Sequence, residues 1–447
     1  MAPGRRRVEG SKVGSKFQAP RGTRDILPGE SERWEWLESR TRDILSRYGY
    51  REVRTPLFEA TDLFVRSVGE ATDIVQKELY TFEDRKGRSL TLRPEGTAPL
   101  VRAYLEHSLG HGEPVTRLSY IGPMFRYERP QAGRFRQFWQ IGAELLGPGS
   151  PPADAEMIDL FVAIIEGVGL RGVSVLLNSL GDATCRPVYR ERIREYFASR
   201  AGELCEDCRE RLRTNPLRIL DCKVPSCQPA IAGAPSVLDS LCDPCREHFA
   251  AVQAALRGLG LAYEIAPRLV RGLDYYTRTV FEVHAASLGA QNAVGGGGRY
   301  DQLVQDFGGP ATPAIGFSIG MERLLLAAGV GEAESTYRPD VCVVTRETGA
   351  MVEALALARA LRGIEKGSKG PGLRVIVDLA GRSASAQMKW ASKARARFAV
   401  FVPAEPEGFA VRDMEAGRDE ERQKTKETLR EWLLARRGEP LAEDALP

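Results

Sequence analysis

The stretch RYERPQAGRFRQFWQIGAE, residues 126–144, carries four arginines and two glutamates in a pattern that otherwise reads as two β-strands joined by a loop. Side chains of one parity share one face of a strand. In the second strand the odd positions Phe135, Trp139, Ile141 and Leu145 are mainly apolar, whereas the even positions include Arg136, Gln140, Gly142 and Glu144. In the first strand Arg126 and Glu128 share parity. Pairing the strands through the loop RPQAGR puts one face on a core and gathers Arg126, Glu128, Gln140 and Glu144 on the other, with side-chain-sized room above Gly142. A solvent-washed antiparallel face would tolerate the same charges, so this segment alone leaves both readings open.

Length and charge narrow the choices. A chain of 447 residues, 43% hydrophobic, predicts two or three domains. Its 63 basic and 60 acidic residues nearly cancel, so any nucleic-acid contact must be local. No apolar run approaches the ~20 residues of a membrane span, and no secretory leader is evident, so a soluble, cytoplasmic protein without a membrane partner is expected. Residues 1–17 begin with MAPGRRRVEGSKVGSK, a basic, core-poor run read as a disordered tail. Helical spacing marks residues 30–48, with Gly49 as C-cap, and Pro56 closes a short extended piece. Strand, loop and strand follow over 117–147, then a helix to about 168. Residues 181–257 form a polar, cysteine-bearing, helix-rich stretch. Strand patterns return at 263–284, AVGGGGRYD reads as a glycine-rich turn, and AIGFSIGMERLLLAAG passes from strand into helix. Beyond YRPD at 337–340, alternating strands and helices predict an α/β domain with a largely parallel sheet.

Further segments supply matching chemistry. LTLRPEGTAP sets Glu95 and Thr97 near Arg93, RGLDYYTRTVFE puts Arg271 and two tyrosines at the start of a strand, and GMERLLL opens a helix with Arg323. Arginines of this kind hold polyphosphate and carboxylates hold an amine. GGGGRYD lacks the Lys-Ser or Lys-Thr of a phosphate-binding loop, which argues against ordinary P-loop nucleotide binding.

With these motifs in view, the sequence resembles the histidyl-tRNA synthetases, class II aminoacyl-tRNA synthetases, from APRGTRDILP at 19–28 to about residue 436. The FRYERP…GRFRQFWQIGAE pair and GFSIGMER look like class motifs; RGLDYYTRTVFE and AVGGGGRYD look like the histidine-specific blocks. The resemblance implies an α+β catalytic core, an antiparallel sheet flanked by helices, over 18–335. It also implies a helical insertion at about 181–257, a C-terminal α/β anticodon-binding domain over 338–437 and a flexible tail over 438–447. The implied activity is histidine–tRNA ligase, using ATP with Mg²⁺ and a histidine-accepting tRNA. A homodimer is implied through the first class motif.

By the same resemblance, Glu95, Gly96, Thr97 and Gln140 hold the α-ammonium end of L-histidine, and Glu144 and Tyr276 read the imidazole nitrogens. Tyr275 forms a further wall; in a strand its ring would point away from that of Tyr276. Arg126 grips the α-phosphate with Arg271, Arg323 holds the γ-phosphate, and Glu128 orients the adenine. Permanent charge and forked donors suit arginine to phosphate. None of the four histidines, His107, His111, His248 and His284, falls within these motifs, so a phosphate oxygen of the adenylate is expected to take the proton in transfer to tRNA. Arg129, Gln131 and Arg134 form the expected acceptor-end loop, and Arg382, Lys389, Lys393, Arg395 and Arg397 a basic helix for the anticodon stem.

Six insertion cysteines occur as Cys205-x2-Cys208, Cys222-x4-Cys227 and Cys242-x2-Cys245. Paired CxxC units make tetrahedral zinc sites, and the expected structural Zn²⁺ ligands are Cys205, Cys208, Cys242 and Cys245. Two rivals stand beside the ligase reading. One is a catalytically silent relative acting as the regulatory subunit of ATP phosphoribosyltransferase; the other is a class II synthetase for another amino acid.

Overall fold

The computed structural model describes residues 17–70, 72–130, 133–288, 292–329, 337–364 and 371–436. The tail assigned to 1–17, save Phe17, the tail at 438–447 and Gln131 lie outside the described residues. Residues 17–26 and 37–329 group as one compact unit, and 27–36 with 337–436 as another.

The first unit is built on an eight-stranded sheet. Its strands are β1 (Arg51–Glu52), β2 (Thr116–Phe125), β3 (Gln137–Leu146), β4 (Val173–Ser179), β5 (Glu264–Ile265), β6 (Thr277–Ala285), β7 (Ala293–Arg299) and β8 (Ala314–Gly320). They lie in the order β1-β2-β3-β8-β7-β6-β4-β5, antiparallel except for the two short edge strands. The parity reading holds across β3. Ile141, Ala143 and Leu145 are buried on one face, where Phe161 of the helix Pro151–Gly167 meets Phe281 and Phe317 edge-on at 5.7 and 4.9 Å. Each fully buried Ile, Leu or Phe among them contributes roughly 1.5–3 kcal/mol.

The helix entering this sheet, Ser31–Arg47, ends as its sequence predicts: Gly49 has φ +80, and the N–H of Tyr50 donates to the Leu45 carbonyl at 2.9 Å. At the other end of the core, Arg299 is fully buried between Asp154 and Asp301, and His248 reaches Asp154 from the opposite side at 2.9 Å. Asp154 thereby joins the helix Pro151–Gly167 to the last helix of the insertion, Asp243–Gly258.

Two sequence expectations change here. The run AVGGGG is not a turn but the central strand β7. None of Gly295 to Gly298 has positive φ; the glycines serve close approach, since a Cβ on Gly298 would stand 2.7 Å from the Thr279 carbonyl oxygen of the neighbouring strand. The expected zinc set also fails to assemble. Cys205 and Cys208 gather with Cys222 and Cys227, while Cys242 and Cys245 gather with Asp182 and Cys185. The short helical turns Pro216–Asp221 and Pro225–Cys227 fold the chain back within the 33 residues that separate Cys208 from Cys242, so the nearer cysteines reach Cys205 first.

In the second unit β9 (Val341–Thr345), β10 (Val375–Val377) and β11 (Phe398–Val402) pair in parallel, and β12 (Phe409–Asp413) and β13 (Arg418–Gln423) continue the sheet antiparallel. The sheet is therefore mixed rather than largely parallel. The helices Met351–Leu361 and Lys426–Arg436 share one apolar core with Val341, Val343, Phe398 and Val400. On the helix Ala384–Lys393 and just beyond it, Lys389, Lys393 and Arg395 are exposed, whereas Arg382 pairs with Asp378 at 2.6 Å.

Candidate active site

Cross-strand pairing fixes the floor of the site in three rows. Gly122, Gln140 and Gly320 lie opposite one another; Tyr120, Gly142, Ser318, Gly296 and Glu282 form the next row; Leu118, Glu144, Gly316, Gly298 and Val280 the third. Residues paired in this way face the same side of the sheet. Six of the thirteen positions are glycine, and of these Gly296 and Gly320 line the cavity. The side-chain-sized room expected over Gly142 is filled instead: the Tyr120 ring lies over it and over Gly96. A Cβ on Gly296 would stand 2.9 Å from Nη1 of Arg271, and one on Gly316 would overlap the Glu144 carboxylate.

Above this floor is a cavity of about 390 Å³. Glu95, Thr97, Gln140, Tyr275 and Tyr276 line one part, and Arg126, Glu128, Arg134, Arg271 and Arg323 also face it. Gly96 and Glu144 lie behind the wall rather than in it, and Arg129 is exposed on the loop.

Glu95 accepts the N–H groups of Thr97 and Ala98 at 2.6 and 2.8 Å, completing the first turn of the helix Thr97–Glu106. A carboxylate so held still has lone pairs for another donor. Burial raises its pKa in spite of those two N–H groups. Thr97 Oγ1 donates to Glu144 at 2.6 Å, and the Tyr300 hydroxyl donates to the other Glu144 oxygen at 2.5 Å. Glu144 has no exposed surface, and burial pushes its pKa up to about 8 against the pull of those two hydrogen bonds. Gln140 is 7% exposed, and its Oε1 has no hydrogen-bond partner. An acceptor buried without a donor marks a place for one from a ligand.

Tyr275 and Tyr276 precede β6 in irregular backbone, so strand alternation does not separate them. Their rings stand 4.7 Å apart and both line the cavity, which corrects the expectation that Tyr275 points away. Burial raises both phenols' pKa values, keeping them protonated.

The arginines are held in distinct ways. Arg126 donates from Nε to the Pro94 carbonyl at 2.8 Å, and Arg323 donates from Nε to the Ala293 carbonyl at 2.6 Å. Nη1 of Arg271 pairs with Glu282, whose other oxygen lies 3.0 Å from His284 Nε2. Burial raises the Glu282 carboxyl, but the Arg271 guanidinium brings its pKa below the ordinary value.

Sequence reasoning missed Tyr120, Glu282, Tyr300 and Ser318. Glu282 and Tyr300 sit inside the quoted blocks RGLDYYTRTVFE and AVGGGGRYD, so a signal was present. Ser318 likewise sits inside GFSIGMER, whereas Tyr120 becomes visible only once strand register places it opposite Gly142.

The sequence matches the protein family described as Histidyl-tRNA synthetase over residues 22–324. It is 50% identical over 388 residues to the histidine–tRNA ligase of Desulfitobacterium hafniense, covering 86% of this chain and 90% of that protein. The chain belongs to the histidyl-tRNA synthetase family. The histidine–tRNA ligase of Geobacillus kaustophilus is also 50% identical, over 90% of this chain and 94% of its own. Among solved structures, the apo histidyl-tRNA synthetase of S. aureus superposes with a TM-score of 0.76 at 35% identity, covering 93% of this synthetase and 99% of that one. A Bacillus halodurans structure described as an ATP phosphoribosyltransferase regulatory subunit/histidyl-tRNA synthetase, at 24% identity and a TM-score of 0.60, shares the fold alone. The catalytic core and the separate C-terminal sheet domain follow the class II synthetase plan, and the regulatory-subunit reading is not favoured.

Proposed function

We propose that the cavity over β3, β7 and β8 is where this histidine–tRNA ligase makes histidyl-adenylate. The observation that carries the reading is the convergence in one cavity of Arg126, Arg271 and Arg323 with the unpartnered, buried Oε1 of Gln140. Gln140 and Glu95 supply acceptors for the α-ammonium, with Thr97 beside them. Tyr276 reads one imidazole nitrogen; Glu144, reached through movement of the Thr97 and Tyr300 hydroxyls, reads the other. A site that demands both partners rejects ligands that would leave a buried polar group unpaired.

The histidine carboxylate attacks the α-phosphorus of ATP, and pyrophosphate leaves. Mg²⁺ enters as part of the ATP complex. Arg126 and Arg271 hold the α-phosphate, Arg323 the γ-phosphate end, and Glu128 the adenine side. Alignment and neutralisation of developing charge supply the catalysis. The terminal ribose hydroxyl of tRNA then attacks the adenylate carbonyl and passes its proton to a phosphate oxygen, and AMP leaves as the acyl–phosphate bond breaks. Arg129 and Arg134 meet the acceptor end, and Lys389, Lys393 and Arg395 the anticodon stem. Exposed Phe58 and Phe82, stacked edge-on at 6.1 Å, offer apolar surface to a second copy in a cytoplasmic homodimer. No helix among the described residues is long and apolar enough to cross a membrane.

The test is pyrophosphate exchange into ATP with each of the twenty amino acids, alongside Arg271→Ala. Exchange with histidine alone, lost in the variant, is expected. Full exchange by Arg271→Ala would refute the site.

A further inference from the structure

Seven of the eight cysteines stand in two tight groups in and beside the insertion, and every cysteine is free. In each group the four ligand atoms lie within 4.8 Å of one another. In the first, Cys205 and Cys208 flank the start of the helix Glu206–Thr214, and Cys222 and Cys227 come from the two short turns that follow. Cys205 Sγ lies 3.9 Å from Cys222 Sγ. A tetrahedron with Zn–S bonds of about 2.3 Å sets sulfurs roughly 3.8 Å apart. Backbone N–H groups are already aimed at two of the sulfurs: Cys205 N–H at Cys227 Sγ, 3.2 Å, and Val224 N–H at Cys222 Sγ, 3.4 Å. Such donors favour thiolate over thiol. Buried thiols acting as small apolar residues would disperse among leucines, and disulfides would join them in pairs. Four sulfurs converging on one point fit neither description.

The second group repeats the design with a carboxylate. Asp182 is oriented by the N–H groups of Thr184 and Cys185, at 3.0 and 3.3 Å. Its Oδ1 lies 3.6 Å from Cys185 Sγ and 3.8 Å from Cys242 Sγ, and Cys245 completes the set. We propose that each group binds one Zn²⁺, the first through four thiolates and the second through three thiolates and the Asp182 carboxylate. The thiols release their protons on binding, and neither ion meets substrate.

Both sites brace the wall of the cavity from behind. Next to the second, Arg278 N–H donates to the Gly181 carbonyl and Leu180 N–H to the Arg278 carbonyl, each at 2.7 Å, and Arg278 approaches Asp182 at 3.6 Å. Arg186, one residue beyond Cys185, donates to the Tyr276 carbonyl at 2.9 Å. From the stretch between Cys208 and Cys222, Arg218 donates to the Arg271 carbonyl at 3.2 Å. The two ions thus position the segment 271–278 through its backbone. This consequence rests on the reading of Arg271 and Tyr276 given above; the metal content does not.

Metal analysis of the full-length protein, purified without chelator, is expected to find two zinc ions per chain. Cys227→Ser and Cys242→Ser should each retain one. Cobalt replacement should give thiolate charge-transfer bands and the visible bands of tetrahedral Co²⁺, diminished by half in either variant. Cys242→Ser should raise KM for histidine by ~10-fold, the low end for loss of a positioning contact. Absence of bound metal with all thiols open to a thiol reagent in the folded wild-type protein, or iron in place of zinc, overturns the proposal. A single zinc that survives Cys242→Ser removes the second site. Should a variant fail to fold, the wild-type metal count and cobalt spectrum still decide. Two zinc ions in the wild type, one in Cys242→Ser, and an unchanged KM in that variant would keep the sites and overturn the bracing.

Discussion

Arg271 and Glu282 are paired on the wall of the cavity, and the pairing leaves Nε of Arg271 buried without a hydrogen-bond partner. The guanidinium is oriented before any ligand arrives and keeps a donor in reserve. Arg271→Ala is expected to lower ATP–pyrophosphate exchange by ~10²- to 10³-fold, the usual effect of deleting one charge-stabilising donor. Arg271→Lys should recover little, because an ammonium lacks the planar fork. Exchange rates at saturating ATP measure both; near-wild-type activity in the lysine variant would show that charge alone suffices.

Glu144 gives a pH signature. Its folded pKa of about 8 lies above the ordinary 4.5, so the native state binds this proton more tightly than the unfolded chain does. Stability from this group is complete below pH ~4.5 and falls as pH rises toward ~8. Glu144→Gln removes the titration. The melting temperature of the wild type relative to Glu144→Gln should therefore decline between pH 5 and pH 8. A gap that is flat with pH would contradict the argument.

Gly142 tests the floor. A Cβ there overlaps the Tyr120 ring, so Gly142→Ala should destabilise by about 1–3 kcal/mol, as overpacking does. Adding Tyr120→Leu should return part of that loss. Denaturant titration of the two singles and the double gives the coupling, and strict additivity would mean that the ring is not the obstacle.

Asp154 neutralises a buried cation. Asp154→Ala leaves Arg299 and His248 inside without their shared carboxylate, at a cost of about 3–5 kcal/mol. Urea unfolding should show it as a lower midpoint, and a wild-type midpoint would mean that water or Asp301 compensates.

Much of this was legible in the sequence because strand alternation and helix caps are local. The parity of residues 137–146, the Gly49 cap and the strand-to-helix passage at Gly320 all follow from neighbouring residues. What escaped depended on partners far along the chain. Tyr120 is a site residue only because β2 pairs with β3 so that it faces Gly142. AVGGGG read as a turn because glycine favours turns, yet here it allows three strands and Arg271 to approach closely. The cysteine grouping turned on where two short turns return the chain, which spacing alone does not fix.

The glycine floor has a consequence for selectivity. In the middle of a sheet the backbone N–H and C=O groups are already engaged with neighbouring strands, so the glycine stretch of the floor is chemically silent toward whatever rests on it. It sets the depth of the cavity and says nothing about what enters. Every discriminating contact must come from the side chains that interrupt it, among them Gln140, Glu144, Ser318 and Glu282, from Glu95 and Thr97 beside it, and from the tyrosines at its margin. Redirecting this enzyme toward a different small molecule is therefore a matter of rewriting those few residues over an unchanged backbone.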